Sequence, residues 1–344
     1  MAGKMVLAVA LILLAGVAAE AQIRSEVPLR LVMLSNGDRR FSISLKVGST
    51  VIEAGLDSGS TGLRILPGAL QPADAEGTGD SDHYAYGSGT EFIGETGKGS
   101  LAVGDASGTI SLQLIKSKDC VNGIPNCPAS KIPMERFGIQ GDGIPGAGFK
   151  AIFGVNMAEA EINNLLAAIG VKRWIIELPR TPTDTGRLVL NPDEDEIKNF
   201  VMLPILDTYR SQRGGLHDAV TGCLVNQVSK VNVCGALMMD TGAPGIMVTN
   251  GGLGGESWPD GTPAALGFYD GRTPRAIESL TIGLREHASR LTFNHEEKMR
   301  GVVIYAGLSP YFAFDVLYDP QNRAIGLKPR SAISNSPTGI LSPN

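Results

Sequence analysis

The sequence predicts an all-β protein built as two lobes, and three observations carry that expectation. Glycine (44) and proline (20) are abundant, aromatic residues make up only 6%, and no long run repeats at 3.6 residues, so short strands and turns should dominate. At 344 residues the chain exceeds one typical domain and suits two lobes with separate cores. Each half also holds one stretch written in the same grammar: GLDSGSTGLRILP from Gly55 to Pro67, and LMMDTGAPGIMVT from Leu237 to Thr249. Both run from apolar residues through Asp, a hydroxyl residue, Gly and a small residue into a second apolar run.

An Asp inside an apolar strand pattern is unfavourable alone, because a buried carboxylate without partners costs several kcal/mol. Asp57 and Asp240, each ending a strand in its own lobe, could meet across the boundary between them. Two carboxyls at hydrogen-bonding distance do not both ionise, so such a pair supplies a general base and a general acid at one point. Gly59 and Gly242 let the backbone turn its N–H groups toward the carboxylates. Ser58 and Thr241 carry hydroxyls able to bond across to the opposite loop.

Residues 1–21 read as a secretory leader: Lys4, an apolar run from Met5 to Ala19, and Ala19-Glu20-Ala21 before Gln22. A membrane anchor is the competing reading, but the run falls short of the ~20 residues of a spanning helix. From Pro28 to Leu56 apolar and polar residues alternate, broken at Asn36-Gly37-Asp38, which predicts a hairpin and a further strand running into Asp57. Gln71 to Asp82 is polar and leads into a hairpin at YAYGSGT, Tyr84 to Thr90. Gly141, Gly143 and Gly146 match a dinucleotide-binding fingerprint, yet Pro145 interrupts it and no strand–helix unit surrounds it, so a loop is expected. Met157 to Gly170 is the clearest helix, with Ile162, Leu165, Leu166 and Ile169 on one face. Trp174 to Leu178 and Arg187 to Leu190 should be strands joined by a turn at the crossing between lobes, which places residues 22–180 in the first lobe and 181–330 in the second. The Asp184-Thr185-Gly186 in that turn lacks an apolar approach and is assigned no role. Asp193 to Glu196 should be a solvated loop, and residues 331–344 a tail without order.

Four cysteines in an exported chain point to disulfides. Three pairings are open; the local one, Cys120–Cys127 with Cys223–Cys234, is the most economical. The spacings do not suit a metal, and the four histidines are scattered. The net charge of −5 is spread along the chain, with no basic stripe for nucleic acid.

Five features, in order, make the sequence resemble the pepsin-like aspartic peptidases from about Val27 to Arg330: the Asp57 loop, YAYGSGT, FKAIFGV from Phe149 to Val155, the Asp240 loop, and Val303 to Pro329. The resemblance implies a bilobal acid-protease fold with its site between the lobes and Asp57 and Asp240 as the catalytic pair. Ser60 would bond the outer oxygen of Asp57. Tyr86 would be the flap tyrosine, with Gly87 and Ser88 offering backbone groups to an extended protein or peptide substrate. Ile152-Phe153-Gly154 and Tyr305-Ala306-Gly307 would thread beside the two Asp loops. It further implies no cofactor and no metal, a monomer without a membrane anchor once the leader is removed, and a secreted or periplasmic enzyme. The few residues between leader and first strand leave no room for the prosegment common among secreted relatives. Arg64 stands where the family carries an aromatic residue that bonds the flap tyrosine, and Ala151 where it favours Gly. These departures keep open a second expectation: a catalytically weak or inactive pepsin-fold protein that binds or inhibits.

Overall fold

The computed structural model describes residues 24–157, 164–206, 210–211, 214–215, 218–249, 258–295, 301–330 and 338–340. The proposed leader lies outside them. Strand dominates: two large sheets of thirteen and eight strands, with one two-stranded ribbon, make the protein all-β. Period-two alternation accounts for this directly. In Ser25–Met33 it turns Val27 and Leu29 inward and Glu26 and Arg30 outward.

The same strand arrangement occurs twice. Thr50–Asp57 runs into the first Asp loop, and Thr61–Ile65 leaves it. Ala151–Val155 inserts between them, parallel to the first with Gly154 opposite Asp57, and antiparallel to the second. In the eight-stranded sheet Asn232–Met239 leads to Asp240, and Ile246–Thr249 leaves. Val303–Gly307 inserts there in the same two senses, with Gly307 opposite Met239. The inserted strands carry Phe153-Gly154 and Ala306-Gly307, so each Asp loop has a glycine beside it where a side chain would meet backbone: a Cβ at Gly154 would lie 2.7 Å from Ser60 O.

The sheets do not divide at residue 180. The larger one takes Gly186–Leu190, Val201–Pro204, Phe314–Asp319 and Ala324–Pro329 from the half assigned to the second lobe, because Trp174–Glu177 pairs with both Gly186–Leu190 and Phe314–Asp319. Trp174 stacks on Tyr318 at this seam, ring centroids 5.6 Å apart. The largest cluster of buried apolar residues accordingly runs through both sheets, from Leu29 and Phe41 to Leu237 and Leu266, with smaller clusters around Phe92 and around Phe200. The sheets are also joined at the surface of the Asn36-Gly37-Asp38 turn, where buried Asp38 accepts from Arg285 at 3.1 Å and Arg290 at 2.9 Å.

Three local expectations differ from the structure. Of the helix expected over Met157 to Gly170, residues 158–163 lie outside the described residues; the described part is the turn Leu165–Ala168, entered from extended Asn164, whose side chain caps it by accepting from Ala167 N–H. Asp193 to Glu196 is not a loop but the start of a one-turn helix, Glu194–Ile197, closed by a reciprocal capping box between Asp193 and Glu196. In the tail, Thr338–Ile340 adds a strand to Thr273–Thr281, using backbone groups that this strand would otherwise present as an open edge.

Both local disulfides form. Cys223 and Cys234 face each other on paired strands, and Cys120–Cys127 closes the loop that follows Ala106–Cys120. They point to an oxidising environment. No helix among the described residues is long and apolar enough to cross a membrane.

Candidate active site

The two Asp loops meet at the junction of the sheets. Thr241 Oγ1 accepts from Ser58 N–H at 2.9 Å and donates to Leu56 O at 3.0 Å. Reciprocally, Ser58 Oγ accepts from Thr241 N–H at 3.0 Å and contacts Met239 O at 3.3 Å. Both hydroxyl residues are fully buried, so each bond fixes one loop against the other in a medium that strengthens it.

This grip brings Asp57 and Asp240 into contact. Gly59 N–H donates to Asp57 Oδ1 at 3.0 Å, and Gly242 N–H to Asp240 Oδ1 at 2.7 Å. Both glycines lie against the other loop's carboxyl. A Cβ at Gly242 would sit 2.7 Å from Asp57 Oδ1, and one at Gly59 would overlap the Asp240 carboxyl. Ser60 Oγ donates to Asp57 Oδ2 at 2.5 Å. At the matching place in the second loop stands Ala243, which has no hydroxyl.

The electrostatics are correspondingly uneven. Asp240 keeps part of its surface open, yet burial of its carboxyl, then the charge of Asp57 and the hydrogen bond between the two, hold it well above the ordinary carboxylate range. The Gly242 N–H pulls the other way, and Asp218 adds to the rise. The pair thus holds a proton above the ordinary carboxylate range, and the causes that raise it act on Asp240.

The expected flap is a hairpin of Ala75–Ala85 and Thr90–Val103, closed by Tyr86 N–H to Thr90 O at 2.9 Å and Gly89 N–H to Tyr86 O at 2.9 Å. Gly87 and Ser88 are exposed at its tip. The Tyr86 ring packs edge-on against Tyr84 and Phe92, with centroid separations of 4.9 and 5.6 Å. Its hydroxyl is buried beside Ser60 without a well-formed hydrogen bond among the described groups. Arg64 does not bond Tyr86. It is buried, donates to Thr61 O at 2.5 Å, and lies 3.2 Å from the Tyr84 ring centroid against 5.8 Å from that of Tyr86.

Sequence reasoning missed Tyr84, which feels the charges of both aspartates. Strand alternation signals it, since positions 84 and 86 share a face. It also missed Asn156, Tyr311, Tyr318 and Asp218. Asn156 Nδ2 donates to Ser58 O at 3.2 Å. The Tyr311 hydroxyl lies 2.7 Å from Ser58 Oγ and in short contact with the Tyr318 hydroxyl. Among the described residues no group of three or more His, Cys, Asp or Glu is placed to hold a metal ion. No protein-family model and no curated protein matches this chain.

Proposed function

We propose that the protein is an exported, pepsin-like aspartic endopeptidase of bilobal architecture, acting on an extended protein or peptide strand without cofactor or metal. The observation that carries this reading is the meeting of Asp57 and Asp240 at the ends of two equivalent three-strand arrangements, each loop gripped by the other's hydroxyl. The disulfides suit export to an oxidising compartment, and the hairpin carrying Tyr86, Gly87 and Ser88 suits a lid over an extended substrate.

The chemistry follows from the unequal pair. Ionised Asp57, braced by Ser60 and Gly59, takes a proton from a water while the water oxygen attacks the scissile carbonyl carbon. Protonated Asp240 donates to the carbonyl oxygen, giving a neutral tetrahedral diol. Collapse moves the Asp57 proton to the amide nitrogen, breaks the C–N bond, and returns the second proton to Asp240. The net change is addition of one water across the peptide bond.

The test is incubation of the purified protein with a mixed peptide library across acidic to neutral pH, together with Asp57→Asn and Asp240→Asn. Wild type should cleave and each variant should lose activity by several orders of magnitude, since neither carboxyl can serve as both base and acid. Activity within about tenfold of wild type in either variant removes the dyad mechanism. Peptide binding without cleavage by wild type would favour a binding or inhibitory protein instead.

A further inference from the structure

Asp218 is the least expected group in the site. It is 1% exposed and stands just before Val220–Asn226. Val220 pairs with Leu237 and Thr221 with Ala236. Carried two residues upstream, this antiparallel register sets Asp218 alongside Met239, next to Asp240. The groups that face it come from five elements: Asp57 from the first Asp loop, Asp240 from the second, Asn156 beyond Ala151–Val155, Tyr311 from the helix Ser309–Ala313, and Tyr318 from Phe314–Asp319. None of them is a cation.

Two unmatched acceptors lie here. Neither oxygen of the Asp218 carboxyl meets a hydrogen-bond donor among the described groups, and neither does Asn156 Oδ1. Asn156 nevertheless faces Asp218, while its Nδ2 holds the Ser58 carbonyl. A carboxylate has no donor, whereas a carboxylic acid has one O–H. The ionised carboxyl is favoured by an N–H from the Asn156 amide, which competes with the Ser58 carbonyl for Nδ2; a proton on Asp218, donated instead to Asn156 Oδ1, would satisfy both buried groups and leave Nδ2 to Ser58. Ionisation would set two anionic oxygens against Asn156 Oδ1, and a third charge beside the dyad.

We propose that Asp218 is a proton-holding positioning residue of this site: as a neutral acid it fixes Asn156 against the Asp57 loop, and loss of its proton sets the alkaline limit of function. This rests on the reading of Asp57 and Asp240 as a hydrolytic dyad. Burial, aided by the Asp57 charge and opposed by the Asn156 amide, carries the Asp218 carboxyl up to about 7, in keeping with that role.

Asp218→Asn keeps a donor toward Asn156 and cannot ionise. It should retain activity in acid and move the upper limb of the pH–activity profile upward by about one unit or more. An unmoved or lowered limb overturns the proposal. Carbon-13 NMR of aspartate-labelled wild type provides a readout independent of catalysis. Burial also raises Asp315, so the signal is assigned by its loss in Asp218→Asn: that carboxyl should stay protonated well above its ordinary value of 3.8 and titrate near 7. If the carboxyl that Asp218→Asn removes ionises in the ordinary acid range, the proposal fails. Wild type that cleaves nothing while this carboxyl still titrates near neutrality would overturn the alkaline-limit role and the dyad reading together, leaving Asp218 a structural acid.

Discussion

Ser60 and Ala243 occupy matching places three residues after their aspartates, and only the first gives its aspartate a hydroxyl donor. Asp57 accepts both the Gly59 N–H and the Ser60 hydroxyl, whereas Asp240 accepts the Gly242 N–H and lies against Asp57. A hydroxyl donated to a carboxylate favours its ionised form, so Ala243→Thr should lower the pKa of Asp240, read directly by carbon-13 NMR of the aspartyl carboxyls. One charge-assisted hydrogen bond is worth about 1.5–3 kcal/mol, or roughly one to two pH units. An Asp240 carboxyl that titrates where it did, or higher, in Ala243→Thr would show that the asymmetry has another origin. The two aspartates were legible in the sequence because each interrupts an apolar strand, a placement that needs a reason. Asp218 was not legible: it follows an unremarkable GLH, and only the pairing of Val220 with Leu237 shows that it is carried beneath the dyad.

The hairpin over the site depends on its neighbour. Val121 N–H donates to Gly89 O at 2.8 Å, and Thr90 pairs with Cys120, so the loop closed by Cys120–Cys127 buttresses the turn from Tyr86 to Gly89. Opening that disulfide in a Cys120→Ser, Cys127→Ser double variant should destabilise the fold by about 2–3 kcal/mol, as expected for so short a loop. It should also raise KM more than it lowers kcat, since the tip positions substrate and leaves the carboxyls alone. Thermal unfolding and steady-state kinetics check the two halves, and an unchanged KM would detach the loop from the flap. Strands were read correctly where period two was clean, as in Arg39–Val47. The short helices were misread for opposite reasons. The apolar face at Ile162, Leu165, Leu166 and Ile169 outweighed the capping tendency of Asn164, and the charge of Asp193 to Glu196 hid the Asp-x-x-Glu spacing of a capping box.

The whole molecule buries acids in a way that ties its stability to pH. Two surface carboxyls sit below their ordinary range: Glu196 at about 2 and Glu26, both chiefly through hydrogen bonds from Arg24. Their contribution is present above pH 4.5 and is lost as pH falls toward the folded-state values. The buried acids act in the opposite sense. Burial lifts Asp218 from 3.8 and Glu278 from 4.5, each to about 7. Between those limits the unfolded chain releases protons that the folded chain keeps, so stability falls as pH rises and levels off once the folded groups ionise. Glu278 shows the effect away from the dyad: it is 5% exposed, accepts from Ser309 Oγ at 2.5 Å, and lies in the strand Thr273–Thr281. At about 1.4 kcal/mol per unit its shift corresponds to about 3–4 kcal/mol lost between weak acid and neutrality. The melting temperature should therefore peak in weak acid and decline toward neutral pH, and Glu278→Gln, which cannot ionise, should flatten that decline by a comparable amount. Thermal unfolding of wild type and variant across this range decides it: a wild-type melting temperature that climbs from weak acid to neutrality, or a variant whose slope equals that of wild type, would mean that Glu278 does not hold its proton in the folded chain.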